Sequence, residues 1–513
     1  MQNESMDRRT FCGSVLAGVA ALGMPHRIWA AGPPEPSNIL LIVAEDMGQQ
    51  AGCYGDDTVP TPYLDRLASE GVLFENGYVT QASCSPSRSS IFTGLYPHQN
   101  GQLGLAHRGY RMHRGIPTLT ALLKKLGYRT GVIGKIHVEP ESDIPFDFDA
   151  RDHHRGDTRD VRKYAEVSEQ FISTSADRPF FLMTNFGDAH KMGSRYPVQV
   201  KGLPERPVGP DDIRMFPEHG EIDTPEVREE VAGYYNAVQR VDVGVGLLLD
   251  VLEKTGKAEN TLVIFIGDHG PPVSRGKTTT YEFGLNIPFL VRWPGRTKPG
   301  LRQQALISTV DILPTCMTAA LGATPRPMAG RSLAPLLDGE TAEWRQTLCA
   351  EWTTHGPGFT PQRSIRDERY KLILNLRLDQ PKPGLGVDGS KVRNAIQDPK
   401  WEGTEAKRVF DLLEHPVPVE LYDLEKDPIE YHNLADDPAY QAVKDRLMQQ
   451  IQAWREETHD PLLDPAYFEA IKQHHDAFAE DFRARVAAAK AAGEKPPNRV
   501  IDMAAFQKDW PIY

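Results

Sequence analysis

Asn38-Ile39-Leu40-Leu41-Ile42-Val43-Ala44-Glu45-Asp46 decides the fold. Seven residues without a charge, rich in β-branched and large aliphatic side chains, predict a strand buried on both faces of a parallel sheet. The two carboxylates that follow lie where such a strand ends. Outward from this strand, helix and strand signals alternate. Thr61-Pro62 opens a helix that Gly71 stops, and Thr118 to Leu126 forms another that ends at Gly127. Further buried strands are predicted at Tyr128 to Ile133, Phe180 to Asn185, Leu262 to Ile266 and Ile287 to Val291, and a long helix at Thr224-Pro225 to about Lys254. This order predicts an α/β domain with helices on both faces of a large, mostly parallel sheet.

The rhythm changes at Gly356-Pro357-Gly358. Arg363 to Ile365 and Tyr370 to Leu376 read as an antiparallel hairpin, with a third strand near Glu420-Leu421-Tyr422 and a helix from about Pro438 to Glu457. These make a smaller C-terminal domain with an antiparallel sheet. A helix over Tyr467 to Ala492, a Pro496-Pro497 break and a tail complete the chain. The boundaries are 1–32 for a leader, 33–355 for the large domain, 356–460 for the α+β subdomain and 461–513 for a helical extension.

The 513 residues carry 58 Lys and Arg against 70 Asp and Glu, a net charge of −12. That balance excludes a protein that coats nucleic acid, because counterion release needs clustered cations. Five scattered cysteines, Cys12, Cys53, Cys84, Cys316 and Cys349, exclude a disulfide scaffold. Near the start, Arg8-Arg9 precedes a 14-residue weakly apolar run, Phe11 to Met24, with Ala30-Ala31-Gly32 beyond it. The run is too short to span a membrane and predicts a twin-arginine signal for export to a bacterial periplasm.

The most informative stretch is Ser83-Cys84-Ser85-Pro86-Ser87-Arg88-Ser89-Ser90-Ile91-Phe92-Thr93-Gly94. Cys-x-Pro-Ser-Arg followed by Thr-Gly resembles the signature of the formylglycine-dependent sulfatases. Gly127-Tyr128-Arg129-Thr130-Gly131-Val132-Ile133-Gly134-Lys135-Ile136-His137 resembles their second signature. Pro97-His98-Gln99-Asn100-Gly101, Pro145-Phe146-Asp147-Phe148 and Glu457-Thr458-His459-Asp460-Pro461 are similar to the sulfamidase branch. The resemblance runs from about Asn38 to Pro461.

It implies an alkaline-phosphatase-like fold and a sulfatase acting on a sulfated saccharide, with N-sulfoglucosamine of heparin or heparan sulfate first among candidates. It also implies a formylglycine made from Cys84 by a formylglycine-generating enzyme, and one calcium ion held by Glu45, Asp46, Asp268, His269 and the modified Cys84. Glu45 and His269 depart from the family's Asp and Asn, and His269 offers nitrogen to a cation that prefers oxygen. Arg88, Lys135 and Lys277 are implied to bind the sulfuryl oxygens. His190 would protonate the leaving group, and His137 would work as a base on the aldehyde hydrate. Three alternatives stand beside this reading: an O-sulfatase on glycosaminoglycan or algal saccharides, a phosphonate monoester or phosphodiester hydrolase, and a non-catalytic carbohydrate-binding protein. No nucleic-acid partner and no membrane span are expected; the oligomeric state stays open, a homodimer among the options.

Other residues read as structural. His113, His153-His154 and His474-His475 are expected on the surface, Trp293-Pro294-Gly295 in a structural role, and Val241, Val245, Leu248 and Leu249 as core.

Overall fold

The computed structural model describes residues 37–508 except 152–158, 176, 192, 194, 323–327, 340–342, 357 and 382–389. The leader at 1–32 and the His153-His154 pair therefore lie outside the described residues. Among these residues, no helix is long and apolar enough to cross a membrane.

Eight strands form the large sheet: β1 (Asn38–Ala44), β2 (Val72–Phe74), β4 (Arg129–Gly134), β5 (Phe148–Ala150), β6 (Phe180–Phe186), β7 (Thr261–Gly267), β8 (Phe289–Arg292) and β9 (Leu301–Gln303). Their spatial order is β5-β4-β6-β1-β7-β8-β2-β9. From β5 across to β7 the pairings are parallel, and β2 pairs parallel with β9. The strand expected at Ile287 to Val291 is β8, which runs antiparallel to both β7 and β2. A short pair, β3 (Gly77–Tyr78) with β10 (Ile307–Ser308), lies apart.

Strand β1 has no exposed residue, as its composition requires. Leu40, Ile42 and Ala44 face one core, beneath the helices Pro62–Glu70, Val161–Ser173 and Pro225–Lys254. Ile39, Leu41 and Val43 face the other, which takes in Ile91 and Phe92 of the helix Cys84–Thr93 and the helices Leu119–Lys125 and Ile312–Leu321. Val241, Val245, Leu248 and Leu249 are core residues, as expected.

One helix start differs from expectation: the side chain of Thr61 does not cap its helix. Thr61 Oγ1 instead accepts the amide of Gly52 at 2.8 Å, and the amides of Tyr63 and Leu64 go to Asp242 Oδ1 at 3.0 and 2.8 Å. The cap comes from another helix, 178 residues away.

The second sheet is antiparallel, in the order β11 (Leu348–Trp352), β12 (Gln362–Arg366), β13 (Tyr370–Asn375), β14 (Val419–Asp423). Its edge strand β11 precedes the Gly356 turn at which the sequence signals change. The helix Gln441–Glu457 covers this sheet through Leu447 and Ile451. The helix Pro465–Ala492 builds a separate cluster with Leu103, Tyr110, Phe359, Ile501 and Met503. One surface expectation fails here: His475 is buried, stacked on Phe359 at 5.0 Å and on Tyr110 at 6.0 Å. His113 is half-buried, and its Nδ1 accepts the amide of Lys508 at 3.2 Å.

Candidate active site

Four adjacent parallel strands deliver their chemistry to one edge. Glu45-Asp46 leaves the end of β1, Asp268-His269 the end of β7, Lys135 and His137 the end of β4, and Asn185 and His190 the end of β6. The carboxyl edge of a parallel sheet is where such folds place their ligands, because every loop leaving it is free of the sheet's hydrogen-bond ladder. Cys84 enters from the side as the first residue of the helix Cys84–Thr93, where unpaired amides favour negative charge.

Arg88 sits one turn further on and is fully buried. Its Nε donates to Asp268 Oδ2 at 3.0 Å, and one terminal nitrogen donates to Asn185 Oδ1 at 2.7 Å and to the Lys135 carbonyl at 3.0 Å. One guanidinium thereby ties together the carboxyl ends of β7, β6 and β4. Its remaining terminal nitrogen is buried without a partner.

Asp46 adopts a left-handed backbone conformation (φ 55°), and its amide donates to Asp268 Oδ1 at 2.8 Å. Lys277 Nζ lies 3.1 Å from both Asp46 carboxylate oxygens, His190 Nδ1 2.5 Å from Oδ2, and His269 Nε2 3.0 Å from Oδ1. Glu45 Oε1 bonds Lys135 Nζ, while its Oε2 is buried with no partner. Cys84 Sγ stands 3.4 Å from His269 Nε2 and 3.7 Å from Glu45 Oε1. Two sets of groups bring candidate ligand atoms within 4.8 Å of one another around the cysteine: Asp46, Cys84 and His269, and Glu45, Cys84 and Asp268.

Burial alone would neutralise these carboxylates, but the cations outweigh it. Lys135 and His190 hold Glu45 far below the usual carboxylate range, and Lys277, His190 and His269 do the same for Asp46. Conversely, and against the burial that disfavours their charge, Asp268 and Asp46 push His269 well up, and Asp46 and Glu45 raise His190. His137 is different: burial and the nearby Lys135 push it well below its ordinary value.

The structure thus brings together all of Glu45, Asp46, Cys84, Arg88, Lys135, His190, Asp268, His269 and Lys277. His137 lies beside them, within electrostatic reach of Lys135, Glu45 and Arg88, and bonds to His107 rather than to the carboxylates. Sequence reasoning missed four participants. Asn185 carries a usable signal, as a polar residue next to the last position of a buried strand. His107 and Arg108 lie in a loop with no motif. His355, whose Nδ1 pairs with Ser83 Oγ at 2.9 Å, stands immediately before the Gly356-Pro357-Gly358 stretch at which the sequence rhythm changes. The loop carrying His190 is held from below by Asp188, whose carboxylate takes Arg240 Nε at 2.6 Å and also binds Arg159.

The comparisons with known proteins agree with this geometry. The family profile described as Sulfatase matches residues 37–323, more than half of the chain, and the profile described as N-sulphoglucosamine sulphohydrolase, C-terminal, matches residues 274–408. Human N-sulphoglucosamine sulphohydrolase is 33% identical over 462 residues, covering 83% of this chain and 91% of its own length. An ulvan-active sulfatase of Formosa agariphila is 34% identical over 439 residues, covering 83% of this chain and 82% of its own. Among solved structures, a complex with D-glucosamine-2-N,6-O-disulfate superposes with a TM-score of 0.63 at 21% identity, over 83% of this chain and 99% of that one. The phosphonate monoester hydrolase of Agrobacterium radiobacter gives 0.64 at 20% identity, over 82% and 96%. At such low identity these two show the fold alone. The sequence relatives and the matched profile go further: the chain belongs to the sulfatase family.

Proposed function

We propose that the protein hydrolyses the N-sulfate of glucosamine in heparin or heparan sulfate saccharides. The observation that carries the reaction is Cys84 standing among three carboxylates and three fixed cations at one sheet edge. The N-sulfated sugar is supported by the human N-sulphoglucosamine sulphohydrolase, whose similarity runs through both sheets.

The residues fit the calcium and the formylglycine of this family. Glu45, Asp46 and Asp268 present carboxylate oxygens of the kind a hard cation prefers, and the buried, unpartnered Glu45 Oε2 is an acceptor in need of a positive charge. His269 would contribute a nitrogen. With calcium bound there and Cys84 converted to formylglycine, the site gains a Lewis acid and an attacking hydroxyl. Arg88, Lys135 and Lys277 offset the charge that builds on the sulfuryl oxygens, and their fixed positions spare reorganisation during the reaction. His190, oriented through Nδ1 by Asp46, supplies the proton that a departing amine requires. A 31% exposed side chain places it at the open side, where a sugar enters.

The deciding experiment releases sulfate from defined saccharides bearing N-, 2-O- or 6-O-sulfate, with matured protein, with and without chelator. Preferential release from N-sulfoglucosamine, lost on chelation and restored by calcium, is expected. Preferential release from an O-sulfate would favour the second reading, an O-sulfatase on algal or glycosaminoglycan sugars, which the 34% identity to the ulvan-active sulfatase supports. Faster turnover of an aryl phosphonate would sink both. Maturation by a formylglycine-generating enzyme predicts an aldehyde in the Cys84 peptide by mass spectrometry. Export by the twin-arginine route predicts that replacing Arg8-Arg9 by two lysines keeps the protein out of the periplasm.

A further inference from the structure

Behind His137 lies a short chain of rings that no motif announces. His107 Nδ1 is 2.7 Å from His137 Nε2, and the two imidazoles are nearly coplanar, 13° apart with centroids at 4.9 Å. That is the geometry of an in-plane hydrogen bond between ring edges. On the far side, Arg108 Nε meets His107 Nε2 at 3.0 Å.

We propose that Arg108 and His107 form a positioning pair that sets the tautomer of His137, leaving its proton on the buried Nδ1 and its lone pair on Nε2. The assignment follows from the donor inventory. A guanidinium nitrogen can only donate, so His107 Nε2 must hold a lone pair. A neutral His107 then carries its proton on Nδ1 and donates it to His137 Nε2. His137, receiving there, must carry its own proton on Nδ1. The chain works only if both rings are neutral, and their surroundings make them so. Partial loss of hydration, Arg108 and Lys135 bring His107 down to about 4 although its ring still meets solvent, and burial with Lys135 depresses His137.

The end of this chain meets no acceptor among the described residues. His137 Nδ1 is buried and without a hydrogen-bond partner, and the ring lies within electrostatic reach of Lys135, Glu45 and Arg88. An N–H kept dry and unpaired beside the Cys84 cluster awaits an acceptor from the reacting centre or the substrate. His137 therefore enters the reaction as a hydrogen-bond donor rather than as the resting base that the family resemblance suggests. To accept a proton at Nδ1 it would first have to lose the one it holds there and take up the His107 Nδ1 proton at Nε2, with His107 reprotonated at its own Nε2. That reversal would set His107 Nε2–H against Arg108 Nε–H at 3.0 Å. Arg108 opposes it, and so biases the direction in which the pair moves a proton.

The inference rests on Cys84 and its neighbours being the reacting centre, and the test separates the two. Histidine-selective 15N labelling of the full-length protein, with the His137 signals assigned from His137→Gln, reads the tautomer directly. The wild type is expected to show a protonated Nδ1 and an unprotonated Nε2 at His137. His107→Phe, which keeps an aromatic ring at this exposed position, is expected to shift His137 to the Nε2–H form that free imidazole favours. His107→Asn, whose amide N–H can stand in for Nδ1–H, is expected to restore the Nδ1–H form. Sulfate release should follow: kcat down about tenfold or more in His107→Phe with KM within about twofold, and partly recovered in His107→Asn. An Nε2–H tautomer at His137 in the wild type, or one unmoved by His107→Phe, overturns the proposal. A tautomer shift that leaves kcat unchanged overturns the positioning role. Absence of any sulfate release by wild type would instead count against the proposed function, and the tautomer measurement would still decide this inference.

Discussion

Arg88 shows how much one residue can organise. Its guanidinium meets a carboxylate, an amide and a carbonyl from the ends of three different strands, a planar fork that a lysine cannot reproduce. Arg88→Lys is expected to lower sulfate release by about a hundredfold or more and to lower Tm, since Asp268 would be left buried with poorer compensation. Sulfate-release kinetics beside thermal unfolding would check this. Retained activity with an unchanged Tm would show the three-way tie to be dispensable. Arg88 was legible because it sits at fixed spacing from Cys84 within one motif. His475 was not legible as a buried residue. His474 and His475 are adjacent and equally polar, and only the aromatic surfaces of Phe359 and Tyr110 bury one fully while the other stays half-buried. Those surfaces come from more than a hundred residues away.

At the scale of elements, the alternation of apolar runs and caps was readable, while the caps themselves were partly exchanged. The helix Pro62–Glu70 begins at a threonine, as expected, yet its free amides are taken by Asp242 from the helix Pro225–Lys254. Burial raises the Asp242 carboxyl to about 7, although the amides of Leu64 and Tyr63 pull the other way. In the unfolded chain it titrates near its ordinary value of about 4. Between about pH 4 and pH 7 the folded state therefore keeps a proton that the unfolded state has released, so this group's contribution falls as pH rises through that window and is flat above it. Asp242→Asn keeps the acceptor and removes the charge. It is expected to gain stability over the wild type progressively from pH 4 to pH 7, reaching about 1–4 kcal/mol, and to match it below pH 4. Denaturant melts of both proteins across that range measure the difference directly. A constant difference at all pH values would show that Asp242 is ionised throughout.

Across the whole molecule, a buried charge network ties the second sheet to the helix Pro97–Asn100 of the large domain. Arg363 of β12 places two nitrogens on Asp460 at 2.8 and 2.9 Å, and Arg455 reaches the same carboxylate at 2.8 Å. Glu351 of β11 adds His98, from the large domain, at 3.0 Å. Asp460→Ala would leave Arg363 buried with its main counter-charge gone and is expected to destabilise the protein by about 3–5 kcal/mol, read from its denaturant midpoint. The C-terminal tail is held just as specifically. Ile501 N donates to the Arg108 carbonyl at 2.9 Å, and a Cβ added to Gly109 would lie 1.9 Å from the Ile501 carbonyl oxygen at a backbone φ of 97°. Gly109→Ala should detach residues near 501 and expose them to limited proteolysis; an unchanged cleavage pattern would refute that contact.

The net charge of −12 is compatible with an anionic substrate because the positive charge that meets a sulfuryl group comes from a few groups of the site rather than from the surface as a whole. It is concentrated in Arg88, Lys135 and Lys277, buried at one sheet edge. The sequence by itself determined the parallel sheet, the cysteine signature and the residue types that gather around it. Strand burial and motif chemistry are local properties, written in spacing and composition. Only the tertiary structure decided which groups pair: Lys135 with Glu45, Lys277 with Asp46, Asp242 with a foreign helix, His107 with His137. Hydrogen bonds and charge pairing act over a few ångströms in space, between residues that the chain keeps tens to hundreds of positions apart.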